Sequence, residues 1–371
     1  MTIKLFPSAS VRVAVTMIAI LLTACGGHRR EPGIEPVATQ DAPVIQFLVA
    51  TNRAPHKDDP TGFGANRSPH MSFAQFSVSV PPRHKPGRVE LPATRPDPQR
   101  SFAVAAREDL ARDAFLDRIG TGQGRHDVFI YIHGYNTSFP RALYRQAQLV
   151  ADTRQTGTAI LFAWPSQGAL ADYTGDRDAA NFSRDHLAAL LTDLAHDGRI
   201  GRITILGHSM GGWLTMETLR QLALTGRRDV LARLSVTLAA PDIDVDVFAT
   251  QAAVIGPMDP PLTVLVATDD MALRFSEWMS GGRARMGELD VDGPHAQSIA
   301  RRYGISVIDI GDFDDPGLAH HSRYAMVAAM DPQVEGFDSS GIREVGAFTL
   351  RRVGDALASP FVLIAGAVSP Q

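Results

Sequence analysis

Ile203-Thr-Ile-Leu-Gly-His-Ser-Met-Gly-Gly212 is the stretch on which the fold of this 371-residue chain is decided. Residues 203–206 form a β-type apolar run, and residues 213–224 are helix-forming. Between them Gly207-His208-Ser209-Met210-Gly211 fits the pattern G-x-S-x-G. A strand that turns sharply into a helix leaves one side chain exposed at the top of its sheet. A Cβ at either flanking position would strike the neighbouring strand or helix, so glycine stands there. Ser209 is then a candidate nucleophile pointing into a cleft, and the Met210 N–H at the helix start is free to bind a developing oxyanion. With 32 glycines in the chain the pattern arises readily by chance, so its weight comes from the strand before it and the helix after it.

Outward from this turn, residues 128–132, 158–163, 234–239, 262–267 and 305–310 are apolar runs with little polar alternation. Such runs mark strands buried on both faces, as in parallel sheets. Residues 139–151 and 178–196 have helical spacing, the second with Leu187, Leu190, Leu191 and Leu194 on one face. Strands alternating with helices predict a parallel, doubly wound sheet, and the strands after residue 127 suffice for one such domain. Earlier, residues 44–50 and the alternating residues 73–80 predict two strands that extend the sheet in antiparallel fashion. Residues 62–68 read as loop, 86–100 as a proline-rich surface excursion, and 108–119 as a helix.

A serine nucleophile needs a base within hydrogen-bond reach and an acid to orient that base. Ends of parallel strands are where such a site gathers. Asp269 and Asp270 follow the run 262–267, His320 and His321 follow the last strand, and Asp242 follows the run 234–239. His133-Gly134 ends the run 128–132, which makes the Tyr135 N–H the second oxyanion donor beside Met210. His208 reads as packing against the sheet, His133 as a structural donor, and Trp164-Pro165-Ser166 as a pocket wall. Asp176-Arg177-Asp178 reads as a solvated loop with an ion pair, or as the carrier of a substrate-orienting Arg177. Asp242, Asp244 and Asp246 have metal-like spacing but fit a helix N-terminus better, so no metal is expected. No G-x-G-x-x-G follows a strand, so no dinucleotide cofactor is expected either.

The formal net charge is −4, and without residues 1–24 it becomes 34 minus 40, or −6, with no basic excess to attract nucleic acid. The single cysteine, Cys25, excludes an intramolecular disulfide. It stands at the end of Leu22-Thr-Ala-Cys-Gly26, after Lys4, Arg12 and an apolar stretch at 13–22 too short to span a bilayer comfortably. This resembles the lipobox of bacterial lipoproteins. The resemblance implies a signal peptide over 1–24, lipidation of Cys25 and, with Gly26 next, sorting to the outer membrane facing the periplasm. Residues 25–43 then read as a flexible tether and 44–371 as a single domain, with the apolar run 359–368 as a helix packed on the body.

Several stretches together are specific. They are Ala50-Thr-Asn-Arg53, Tyr131-Ile-His-Gly-Tyr-Asn-Thr-Ser-Phe139, Ala163-Trp-Pro-Ser166, Tyr173-Thr-Gly-Asp-Arg-Asp178, Gly207-His-Ser-Met-Gly211, Ala240-Pro-Asp-Ile-Asp-Val-Asp-Val-Phe248, Asp270-Met-Ala-Leu273 and His321-Ser-Arg-Tyr324. With them the chain resembles a bacterial family of α/β-hydrolase-fold proteins, largely uncharacterised and grouped with esterases and lipases. The resemblance implies the α/β-hydrolase fold, a mostly parallel doubly wound sheet with helices on both faces. It implies a triad in the chain order Ser209, Asp270, His321, with Asp269 left to cap the helix beginning near Ala272. Arg323 departs from the family, which has an aromatic residue beside the His-Ser pair, so His320 remains beside His321 as the base. The expected activity is hydrolysis of a small-molecule or lipid ester, or a thioester, by a lipid-anchored enzyme. An acyltransferase of the same fold, or a binding or assembly lipoprotein without turnover, are the alternatives.

Overall fold

The apolar runs beyond residue 127 all form strands: β4 (His126–Ile132), β5 (Thr158–Ala163), β6 (Ile200–His208), β7 (Leu234–Ala239), β8 (Thr263–Val266) and β9 (Ser306–Asp309). The computed structural model describes residues 31–39, 42–55, 62–120, 124–153, 157–279, 281–311, 322–325 and 343–345. Three strands precede β4, namely β1 (Val44–Pro55), β2 (Phe63–Ser79) and β3 (Ala103–Leu110), and β10 (Arg343–Val345) follows β9. The ten form one sheet in the order β10-β9-β8-β7-β6-β4-β5-β1-β2-β3. All pairs from β1 through β9 across the centre are parallel, and only β1·β2, β2·β3 and β9·β10 are antiparallel.

The helices are α1 (Arg112–Ile119), α2 (Phe139–Thr153), α3 (Tyr173–His196), α4 (Met210–Leu224), the short α5 (Arg228–Leu231), α6 (Val245–Ile255), α7 (Met271–Met279) and α8 (Pro294–Tyr303). Alternation along the strands assigns each helix to a face. Val128, Ile130 and Ile132 of β4 point into a core shared with α1, α3, α4, α6 and α8. Phe129 and Tyr131 point into a second core shared with α2 and Tyr324. This is the α/β-hydrolase architecture, with helices on both faces of a mostly parallel sheet.

The early strands differ from expectation. β1 is not antiparallel to the body; it lies parallel to β5, with Leu48 opposite Ile160, and only β2 and β3 reverse direction. Residues 62–68, read as loop, mostly belong to β2, and residues 108–110, read as helix, end β3. The stretch read as a tether is laid against the body from Gly33 onward. Gly33 N–H donates to Ala93 C=O (3.1 Å), Val37 N–H donates to Val104 C=O (2.9 Å), and Ile34 is buried. The stretch 1–24 read as a signal peptide, Cys25 and the run 359–368 lie outside the described residues.

Candidate active site

Ser209 is the residue between β6 and α4, and its backbone sits at φ 53°, ψ −120°, a region an L-residue rarely adopts. Such a conformation costs about 1–3 kcal/mol and persists only where the surroundings over-determine it. Here they do. Ser209 N–H donates to Ala239 C=O (2.9 Å) on β7, and Ser209 C=O accepts from Gly212 N–H (2.9 Å) and Asp242 N–H (3.3 Å). The flanking glycines are obligatory for the reason the sequence suggested. A Cβ on Gly207 would lie 2.6 Å from Thr215 Oγ1, and one on Gly211 would lie 2.4 Å from the Ile132 carbonyl oxygen. Gly134 faces the serine from β4's end, where a Cβ would come within 2.9 Å of Ser209 Cβ.

That close approach brings the loop after β4 against Ser209. Among the described residues, no hydrogen bond takes up the N–H of Tyr135 or of Met210. The loop is held rigid from below. Asp176, in the first turn of α3, is buried and accepts from Asn136 N–H (3.1 Å), Gln167 N–H (2.7 Å) and the Ser166 hydroxyl (2.6 Å). Ser166 in turn accepts from Thr137 N–H (3.1 Å). Burial pushes the Asp176 carboxyl up, while these hydrogen bonds pull it back. Arg53, buried on β1, adds a bond to Thr137 C=O (3.2 Å). The solvated-loop reading of Asp176 is therefore corrected, because its carboxylate clips the loops after β4 and β5 together. Asp178 is exposed, and the Arg177 guanidinium lies 4.2 Å over the Trp213 ring.

His133 is structural. It is fully buried, stacks on Trp164, and has its ring nitrogens near the Gly134 and Trp164 carbonyls (2.9 and 3.1 Å). Burial, with the charge of Arg53, lowers it to about 3, so it stays neutral and moves no proton near neutral pH. Trp164 returns the contact through Nε1–H to His133 C=O (2.7 Å).

The acids separate by what each side chain holds. Asp270 is buried at the carboxyl edge beyond β8, two strands from β6, which is about 10 Å across the sheet. Its Oδ1 accepts from Ala272 N–H (3.0 Å) and Leu273 N–H (3.1 Å), so the capping role expected of Asp269 falls to Asp270. Asp269 instead forms a two-point ion pair with the buried Arg323 guanidinium, Nη2 to Oδ2 at 2.7 Å and Nη1 to Oδ1. Arg323 and Asp269 thus account for each other. Asp242 is a buried hub, accepting from Tyr173 Oη (2.8 Å) and Ser276 Oγ (2.5 Å) and pairing with Arg285 (3.3 Å). Asp244 caps α6 through Asp246 N–H (3.0 Å) and Val247 N–H (3.1 Å), as a helix start requires. Glu288, which the sequence did not single out, stands near Asp270. Burial and the Glu277 and Asp270 carboxylates push it up to about 7.

His320 and His321 lie outside the described residues. Just after them, Arg323 and Tyr324 tie to the carboxyl edge of the sheet. Arg323 holds Asp269 beyond β8; the Tyr324 hydroxyl bonds the Tyr131 hydroxyl (2.9 Å) near the end of β4; and its ring packs 4.4 Å from that of His208 at the end of β6.

Residues 108–337, more than half of the chain, match the sequence family described as alpha/beta hydrolase of unknown function (DUF900). No curated protein matches the sequence. Among solved structures, the Pyrobaculum calidifontis esterase is 12% identical, the match covering 88% of this chain and 94% of that one with a TM-score of 0.36. Esterase Est22 is 13% identical, with 81% and 78% covered and a TM-score of 0.30. Superpositions that loose carry no argument about the site.

Proposed function

The chain belongs to this alpha/beta-hydrolase family of unknown function, and we propose that it is a serine hydrolase cleaving carboxylic esters or thioesters through an acyl-enzyme on Ser209. The observation that carries the reading is the strained turn at Ser209, φ 53° between strand and helix, with Gly134 pressed against it. In this mechanism Ser209 Oγ attacks the substrate carbonyl while the His321 imidazole takes its proton. Asp270 fixes the imidazole, and its cap bonds use Oδ1. The N–H groups of Tyr135 and Met210 hold the oxyanion, each donor of this kind being worth about 10²–10³ in rate. The imidazolium then protonates the leaving alcohol or thiol, and water, deprotonated by the imidazole, releases the acid and regenerates Ser209. An acceptor alcohol in place of water would make the same site an acyltransferase.

Lipidation of Cys25 would hold this enzyme on the membrane, at the periplasmic face of the outer membrane if the lipobox directs sorting as it does in bacterial lipoproteins. Small-molecule or lipid esters are then the substrates within reach. The test is labelling by a fluorophosphonate probe, with hydrolysis of p-nitrophenyl esters of graded chain length beside it. Wild type should label, and Ser209→Ala should not label and should lose roughly 10⁴–10⁶ in kcat with its circular dichroism unchanged. A folded wild-type protein that does not label would leave a binding or assembly role as the reading.

A further inference from the structure

Helix α7 turns an apolar side outward. Met271, Phe275 and Trp278 are 56%, 43% and 75% exposed, and their i, i+4, i+7 spacing places them on one face. The exposure is built in. On the opposite face Leu273 is buried, and Ser276 is bonded to both Asp242 (2.5 Å) and Tyr173 (2.9 Å), so the helix cannot roll its stripe inward without breaking that hub. An apolar stripe fixed outward on a soluble body marks an interaction surface.

We propose that this stripe docks on the phospholipid bilayer to which the chain is anchored and sets the rim of the Ser209 site against membrane-borne esters; the proposal rests on the lipidated-hydrolase reading above. The chemistry of the stripe fits a bilayer. Arg274, 61% exposed at the side chain, flanks it, and Arg283, 70% exposed, stands just beyond the helix; each stands 3.8 Å from a carboxylate, of Glu288 and Asp244 respectively, contacts long enough to be exchanged for lipid phosphate. Aromatic rings favour the headgroup level, and arginines meet anionic lipid phosphates there. Three side chains are too few for a stable protein interface, which buries roughly 800 Å² per partner, but they suit shallow insertion reinforced by a lipid anchor.

The position fits as well. α7 starts directly at Asp270, and Tyr173 joins it to the oxyanion loop through an edge-on contact with Tyr135 (5.2 Å). Tyr135 Oη in turn donates to the carbonyl of Leu170, itself an exposed apolar residue. The anchor can reach. The body is rooted at Gly33 and Val37 near the start of β3, which by register lies at the amino end of the parallel strands. Residues 26–32 extended span about 25 Å. The height of a six-residue strand is about 20 Å. The contour length of chain between Cys25 and the first contact with the body therefore exceeds the height of such a strand.

The chain holds three tryptophans, and Trp164 and Trp213 are buried, so emission that responds to lipid reads Trp278. The full mature protein is reconstituted into phosphatidylcholine–phosphatidylglycerol vesicles whose acyl chains carry bromine at a shallow position. Bromolipid should quench about half or more of the Trp278 emission, and the quenchable component should vanish in Trp278→Phe. The double variant Met271→Gln/Phe275→Gln should lower quenching and cut hydrolysis of a vesicle-embedded ester at least fivefold, with a soluble p-nitrophenyl ester hydrolysed at the wild-type rate. Emission indifferent to bromolipid, with iodide quenching equal with and without vesicles, would overturn the proposal. So would an emission change that follows protein concentration instead of lipid, which would assign the stripe to a second copy. The underlying readings fail separately, lipidation in the mass of the mature chain and the hydrolase in fluorophosphonate labelling.

Discussion

Gly211→Ala puts the elbow under direct load. An added Cβ would lie 2.4 Å from the Ile132 carbonyl oxygen and 2.5 Å from that of His133. Both obstacles are backbone at the end of β4, and β4 is pinned between β5 and β6, so it cannot yield. Relieving the contact to an ordinary carbon–oxygen distance of about 3.3 Å requires α4 to withdraw by roughly 1 Å. Overpacking costs about 1–3 kcal/mol, and rigid backbone on the receiving side places this case near 3. In a domain of this size that lowers Tm by roughly 4 °C. Ser209 moves with α4, and a 1 Å misplacement of a reacting group costs about 10²-fold. The assay is the second-order rate constant of fluorophosphonate labelling, read beside Tm. Gly198→Ala is the control, since a Cβ there meets nothing within 4 Å, and it should leave both readouts unchanged. Wild-type labelling and Tm in Gly211→Ala would refute the reasoning, because Ser209 would then not be held by this turn.

Asp270→Asn should keep the cap of α7, since Asn still offers an acceptor oxygen, and should hold Tm near wild type while kcat falls by up to about 10⁴ through the wrong imidazole tautomer. Asp269→Asn weakens the partner of a buried Arg323 and should lower Tm more than it lowers kcat; a reversal of the two kinetic effects would exchange the roles. His84 and Glu288 each contribute stability that is lost as pH rises, whereas His133, lowered to about 3 by burial, contributes in the opposite sense until its gain is complete above 6.5. For His84, burial alone would lower its pKa, but hydrogen bonds and charge from Asp152 and Glu90 outweigh that and raise it above 6.5. Its contribution is therefore full below 6.5 and lost as pH rises through the folded value. Glu288, raised from 4.5 to about 7, likewise holds its proton more tightly when folded, so its share fades between those values. Above pH 6.5 urea midpoints should decline with pH, and His84→Gln should remove much of that decline; a midpoint rising with pH there would contradict both assignments. Cys25→Ser should move the protein from membrane to soluble fractions, and continued pelleting with outer membrane would assign the anchoring elsewhere.

The parallel centre of the sheet was legible because both faces of those strands are buried, so their apolar runs carry no competing period. The edge was not. β3 is an outer strand whose second half is Arg107-Glu108-Asp109-Leu110, and charge at an edge erases the alternation that would reveal it. β1 read correctly as a strand, but nothing local says that it pairs with β5, because direction is set by which neighbour closes the core. Gly207, Ser209 and Gly211 announced the elbow since the turn itself demands those residue types. Asp176 did not announce its role: beside Arg177 and Asp178 it looks solvated, and only the return of α3 beneath two loops buries it. That Asp270 and not Asp269 caps α7 is a one-residue matter of where the helix begins, and Asp269 is taken up by Arg323, a partner distant in sequence.

The strained backbone of Ser209 ties its proposed reactivity to the assembled state. Its conformation is upheld by Ala239 from β7, by Gly134 from the end of β4 and by the first turn of α4, parts that lie far apart along the chain and meet only in the finished sheet. Left to itself, a serine would relax by a rotation about one bond. On the proposed reading an incompletely folded chain carries no competent nucleophile, and any covalent mark on Ser209 is a record that the whole central sheet had already closed around it.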